Sequence, residues 1–155
     1  MTLVRRQTYV LQFHRPPDDP TDPGGAGVVP LTIARGLQVS TRLTGSGFDC
    51  SQENLDGGTA TLDLTFTTNH EGTLFFEWGT LAVGSSGATI EFRSVGAGQL
   101  SAAPDGDGFS HGTVMYEVTG GTGGFEQARG FITSNFLVNL KTNELLDTHL
   151  GILRM

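Results

Sequence analysis

The chain has 155 residues, 23 of them glycine, and sixteen acidic residues against nine lysines and arginines leave a net charge of −7. That length suits one domain that buries a core without disulfides or a metal. The charge repels a phosphate backbone and offers no basic stripe to neutralise one, which argues against nucleic acid as a partner.

Cys50 is the single cysteine, so neither an intrachain disulfide nor a cysteine metal site can be built. The run Met1 to Arg15 carries Arg5, Arg6 and Arg15 around an apolar stretch too short for a signal core, and nothing approaches a membrane span. A soluble cytoplasmic protein is expected.

Thr8 to Arg15 alternates, with Tyr9, Leu11 and Phe13 on one side, and predicts a first strand ended by Pro16 and Pro17. Residues 16–30 hold five of the six prolines with Asp18, Asp19 and Asp22, and read as an irregular loop or lid over a mouth. Leu31 to Leu43 predicts a strand interrupted at Gly36, and Thr44 to Gly58 reads mostly as loop. From Thr59, Leu62, Leu64 and Phe66 alternate with Thr61, Asp63 and Thr65, and Asn69-His70-Glu71-Gly72 turns the chain into Thr73 to Val83, a β-hairpin. Further strands are predicted over Ala88 to Val95, His111 to Thr119, Phe131 to Leu140 and Glu144 to Leu153. At least six runs show period two and no long window shows period 3.6, so the class is all-β, a barrel or a sandwich. Closure into a barrel is the more economical way to remove exposed strand edges.

Between two of these strands lies Gly120-Gly121-Thr122-Gly123-Gly124-Phe125-Glu126-Gln127-Ala128-Arg129-Gly130. Four glycines in five positions allow positive φ and close backbone approach, which reads as a sharp turn. Phe125 anchors it, and about one helical turn fits before Gly130. This segment resembles the GGTGxFxxARG signature of the allene oxide cyclase and dirigent superfamily, a likeness that extends through Glu144 to Arg154. Asp18-Asp19-Pro20 resembles the Asp-Asp-Pro of dirigent proteins. The resemblance implies a single antiparallel eight-stranded barrel, closed or nearly so, with an apolar pocket along its axis. It also implies kinship with bacterial cofactor-free cyclases of natural-product pathways, among them spirotetronate-forming Diels-Alderases. Arg129 matches the signature and is assigned to shaping the turn.

Other chemistry is poorly represented. The glycines do not complete G-x-G-x-x-G ahead of a long helix, and neither a phosphate loop nor G-x-S-x-G occurs. His14, His70, His111 and His149 are scattered and never two apart on a strand, as paired ligands in a barrel would be, so no metal is expected. Asp105-Gly106-Asp107-Gly108 lacks the oxygen ligands of a calcium loop and reads as a turn.

What remains is a set of polar and aromatic residues within strands. Phe75, Glu77 and Leu81 share one face of their strand and Leu74, Phe76 and Trp78 the other, but the pattern does not say which face is inside. Taken singly, Glu77, Glu91, Arg93, Glu117 and Asn135 suit a solvated outer face or cross-strand pairs. Taken together, the aromatic and polar groups suit an apolar pocket with a few directed hydrogen bonds. The leading expectation is a cofactor-independent cyclase or isomerase acting on a flexible hydrophobic polyene, epoxide or enone. Tyr9, Tyr116, Glu77 and Arg93 are its catalytic candidates, and Trp78, Phe75, Met115, Asn135 and Phe136 would bind substrate. A non-catalytic or dirigent-like binding barrel is the alternative, a purely structural domain is a third, and a homo-oligomer, dimer or trimer, is expected.

Overall fold

The computed structural model describes residues 5–17, 27–104 and 108–155. Its strands are β1 (Arg5–Arg15), β2 (Gly27–Thr44), β3 (Gly47–Asn54), β4 (Thr59–Thr68), β5 (Leu74–Val83), β6 (Thr89–Ser94), β7 (Gly98–Ala102), β8 (Phe109–Gly121), β9 (Arg129–Asn139) and β10 (Leu145–Arg154). Every pairing is antiparallel, and β1 pairs with both β10 and β2, so the sheet closes on itself. Eight staves make the ring because β6 and β7 occupy successive parts of one position between β5 and β8, while β3 lies outside it on β2. The expected eight-stranded antiparallel barrel is the observed fold.

Alternation decides what fills it. Along β1 the inward set Gln7, Tyr9, Leu11, Phe13 and Arg15 is buried, and the set between them is less so. Leu31 and Ile33 of β2, Leu81 of β5, Ile90 and Phe92 of β6, Val114, Tyr116 and Val118 of β8, Ile132 of β9 and Leu153 of β10 complete the core. Burial of side chains of this size, at about 25 cal/mol per Å² of apolar surface, holds the ring together.

Two expectations along the chain are corrected. The segment 44–58 is not mainly loop, since β3 occupies Gly47–Asn54 with all eight residues exposed. Nor does Gly36 interrupt β2; the irregularity is a bulge, where Gln12 faces Arg35 and Phe13 faces Ile33. Before the bulge β2 pairs with β4 and after it with β3, so the extra residue lets one strand change partner. The Gly36 amide donates to Asp56 Oδ1 at 2.6 Å, which occupies the backbone where the change occurs.

The glycine-rich turn holds a 3₁₀ turn at Gly123–Phe125, and Gly123 has φ of 60°. Of the expected lid, Gly27 to Pro30 belong to β2, Pro16 and Pro17 follow β1, and 18–26 lie outside the described residues. Among the described residues no helix is long and apolar enough to cross a membrane.

Candidate functional site

The end of the barrel where β1 finishes at Arg15 and β10 begins at Leu145 will be termed the upper end. There the inward faces enclose a cavity of about 260 Å³ with a largely apolar wall that includes Leu62, Leu64, Leu100 and Phe136. Arg15, Glu77, Tyr116 and Asp147 bring polar atoms to it. Val29 also lines it, so the strand following the proline-rich segment forms part of the rim.

Each polar group arrives by strand parity. Glu77 lies between Phe75 and Gly79 on the inward face of β5, and Tyr116 between Val114 and Val118 on that of β8. β5 and β8 both flank β6, and over its Ser94 the Tyr116 hydroxyl donates to Glu77 Oε2 at 2.5 Å. Burial in this apolar wall penalises the charged carboxylate and pushes the Glu77 pKa up to about 7, with the nearby Asp147 adding to the rise. The Tyr116 hydrogen bond and His149 oppose that shift without cancelling it. Tyr116 itself is driven well above the ordinary phenol value, by burial first and then by Glu77, so it stays a neutral donor.

A second set lies beneath. Ser134 Oγ donates to Asp147 Oδ1 at 2.7 Å, and His149 Nε2 is 2.9 Å from Asp147 Oδ2. The imidazole is packed edge-on against Phe13, with centroids 4.9 Å apart. Asp147 thus has both oxygens held, in an arrangement where serine and histidine address the same carboxylate. Among the described residues no serine–histidine hydrogen bond activates the hydroxyl, so this is not a nucleophile relay of the Ser-His-Asp kind. Among the described residues no group of three His, Cys, Asp or Glu could hold a metal ion.

The candidates named from sequence divide by face. Glu77, Tyr116, Phe75 and Phe136 point inward at the upper end, and Phe75 and Phe136 touch with ring centroids 5.8 Å apart. Tyr9 also points inward but lines a different cavity at the opposite end, so it is not part of the Glu77–Tyr116 site. Trp78 is 46% exposed on the outer face, as are Met115, Arg93 and Asn135. Arg93 spends its guanidinium on Glu117 directly across the sheet, with Nη2 to Oε2 at 2.9 Å. The expectation that these four line the pocket is therefore corrected: the inward parity of β5, β6, β8 and β9 runs through their neighbours.

Asp147, His149, Ser134 and Arg15 were not singled out from sequence. The available signal was Asp147-x-His149, two polar residues of like parity sharing a strand face with Gly151 and Leu153.

No family model matches the chain, and no curated protein is significantly similar to it. Among solved structures it is similar to a pterocarpan synthase dirigent protein, at 15% identity and a TM-score of 0.49, over 97% of this chain and 85% of that one. The fold described above rests on its own strand pairings and not on that likeness.

Proposed function

We propose that this barrel is a cofactor-independent cyclase or isomerase of a natural-product pathway. It would draw a flexible, hydrophobic polyene, enone or epoxide into the upper cavity. The observation that carries the reading is a carboxyl group near pKa 7 in an apolar cavity, held in place by a phenol. A general acid or base works best when its pKa lies near the operating pH.

Tyr116 occupies Glu77 Oε2 and leaves Oε1 for the substrate. Protonated Glu77 donates to a carbonyl or epoxide oxygen, the folded chain closes its ring on the activated carbon, and the resulting carboxylate takes a proton from a neighbouring carbon. The proton count balances, so no cofactor is consumed. The apolar wall confines a flexible substrate near its reactive shape and lowers the entropic part of the barrier. Phe75 and Phe136 supply part of that wall.

The outer face supports a homo-oligomer. Val10 stands opposite both Leu150 and Leu37, and Ile152 opposite Phe131, all of them exposed. A lone, exposed Cys50 suits a reducing cytoplasm.

The test is incubation of purified protein with linear enone and epoxide polyenes in D₂O, followed by mass spectrometry. The expected product is an isomer of the substrate with no carbon-bound deuterium, because the transferred proton ends on oxygen, and it is formed about 10²-fold more slowly by Glu77→Gln. Tight binding without turnover would establish the non-catalytic alternative instead. Product changes seen only with an added oxidase would favour a dirigent-like role.

A further inference from the structure

Three buried polar side chains beneath the upper cavity have no task in the reaction proposed above. Ser134 is 0% exposed, His149 2% and Asp147 6%, and of the three only Asp147 reaches the cavity lining. Burying a carboxylate is costly unless its oxygens are hydrogen-bonded. Ser134 holds one oxygen of Asp147 and His149 the other. Register makes this possible: His149 lies two positions along β10 from Asp147, and Ser134 of β9 stands directly opposite His149.

The imidazole leads back to the acid. Its ring centroid is 6.2 Å from that of Tyr116, whose other neighbour is Phe92 at 4.6 Å, and the Tyr116 hydroxyl holds Glu77 Oε2. A continuous run of contacts therefore links Ser134, Asp147, His149, Tyr116 and Glu77. Hydrogen-bonded sets of this kind fix one arrangement of their members when each is satisfied. The charge of Asp147 also reaches beyond its contacts. It adds to the larger effect of burial in holding Glu77, Tyr116 and Tyr9 in their protonated forms, while His149 acts on Glu77 in the opposite sense. Arg15 lines the same cavity.

We propose that Asp147 and His149 are positioning residues for the Glu77 acid, which they reach through space and through Tyr116 and not by acting on the substrate. The inference rests on the reading of Glu77 as that acid. Asp147, clamped by Ser134 and His149, supplies a fixed like charge that keeps the proton on Glu77 until a substrate oxygen arrives. His149, packed against Tyr116, keeps the phenol on Oε2 and so leaves Oε1 to the cavity.

The test reads Glu77 without substrate, by its ¹³C carboxyl titration in the full chain, assigned with Glu77→Gln. Asp147→Asn keeps an acceptor for Ser134 and removes the charge, so Glu77 should titrate at lower pH than the wild-type value of about 7. His149→Gln keeps a donor for Asp147 and removes the ring beside Tyr116, so Glu77 should titrate at higher pH. Arg15 is unchanged in both. A merely structural role would lower both melting temperatures and leave the midpoint alone or move it the same way twice. With a polyene substrate the alkaline limb of kcat/KM should follow each midpoint. Above that limb Asp147→Asn should lose about three- to tenfold, since one pKa unit is tenfold in the protonated fraction. If Asp147→Asn does not fold, the direction of the His149→Gln shift decides alone. An unmoved midpoint, or two shifts of one sign, would overturn the proposal. Opposed shifts in a protein that turns nothing over would uphold this arrangement of charge and count against the cyclase reading alone.

Discussion

Tyr9 faces Gly151 across the β1–β10 pair, and its phenol ring lies so close over the glycine that a Cβ there would collide with Cε1 and Cζ. The same relationship recurs twice. Phe75 covers Gly98 across β5–β7, and Phe136 covers Gly112 across β8–β9. In each pair the missing side chain is a slot that lets an inward ring lie along the barrel wall instead of standing across the lumen. Cavities at both ends coexist with aromatic lining because of these slots.

Gly112→Ala tests that account. The added Cβ meets the Phe136 ring, which must turn into the upper cavity. Overpacking of this kind costs about 1–3 kcal/mol, and the variant should melt lower and bind a hydrophobic guest in the upper cavity less tightly. Gly112→Ala combined with Phe136→Leu should recover the binding. A single variant with wild-type affinity and melting temperature would refute the slot argument.

Glu77 carries a stability signature that does not require knowing the substrate. Its folded pKa of about 7 lies above the ordinary 4.5, so the native state holds the proton more tightly than the unfolded chain. The cost of charging it is absent below pH 4.5, grows as pH rises to 7, and is constant above. At about 1.4 kcal/mol per unit the full effect is about 3 kcal/mol. Glu77→Gln should therefore become steadily more stable relative to wild type between pH 4.5 and 7.5, as read by urea denaturation. A pH-independent difference would show that Glu77 is not perturbed.

Tyr116→Phe removes a hydrogen bond that favours the Glu77 carboxylate. The Glu77 pKa should rise further, seen directly as an alkaline shift in its ¹³C carboxyl titration. If protonated Glu77 is the acid, kcat/KM should fall overall while its alkaline limb moves to higher pH. A titration unchanged from wild type would mean the phenol does not touch this carboxyl in solution.

Trp78 shows where the sequence stops being informative. Alternation correctly separates Phe75, Glu77 and Leu81 from Leu74, Phe76 and Trp78, but both sets are rich in large apolar groups, so pattern alone does not name the inner one. The glycine opposite Phe75 was a usable discriminator, though only once strand register is known. The all-β class was legible from period-two runs, whereas eight staves came from the resemblance of the glycine-rich segment, and β3 and β7 were not foreseen. Asp147 and His149 were legible as a same-face pair on β10, but Ser134 joins them from β9 and only the strand register reveals it. Arg93 and Glu117 were each read as suited to an outer face or a cross-strand pair, without their being matched to one another, and they pair together.

Because Trp78 and Met115 face outward, Trp78→Ala and Met115→Ala should leave upper-cavity affinity within about twofold, the scatter of surface changes. If the exposed apolar band joins copies of the chain, Val10→Lys with Leu150→Lys should lower the mass seen by light scattering. A monomeric wild type would end the oligomer proposal without affecting the cavities.

The glycine-rich turn makes the sharpest stability prediction. Thr122 fixes it to β6: its amide donates to the Thr89 carbonyl at 2.9 Å, and its hydroxyl accepts from the Thr89 amide at 3.0 Å. Gly123 follows at φ of 60°, and a Cβ there would sit 3.0 Å from the Ala88 Cβ. A β-branched residue in that conformation is strained by about 1–3 kcal/mol, and the contact with Ala88 adds crowding that relaxes only by pulling the turn off β6. Gly124, one position on, has nothing within 4 Å of a built Cβ. Gly123→Val should therefore lose more than about 1 kcal/mol in urea denaturation, while Gly124→Ala stays near wild type. Equal stability of the two variants would mean that the signature glycines do not hold this turn by their conformation.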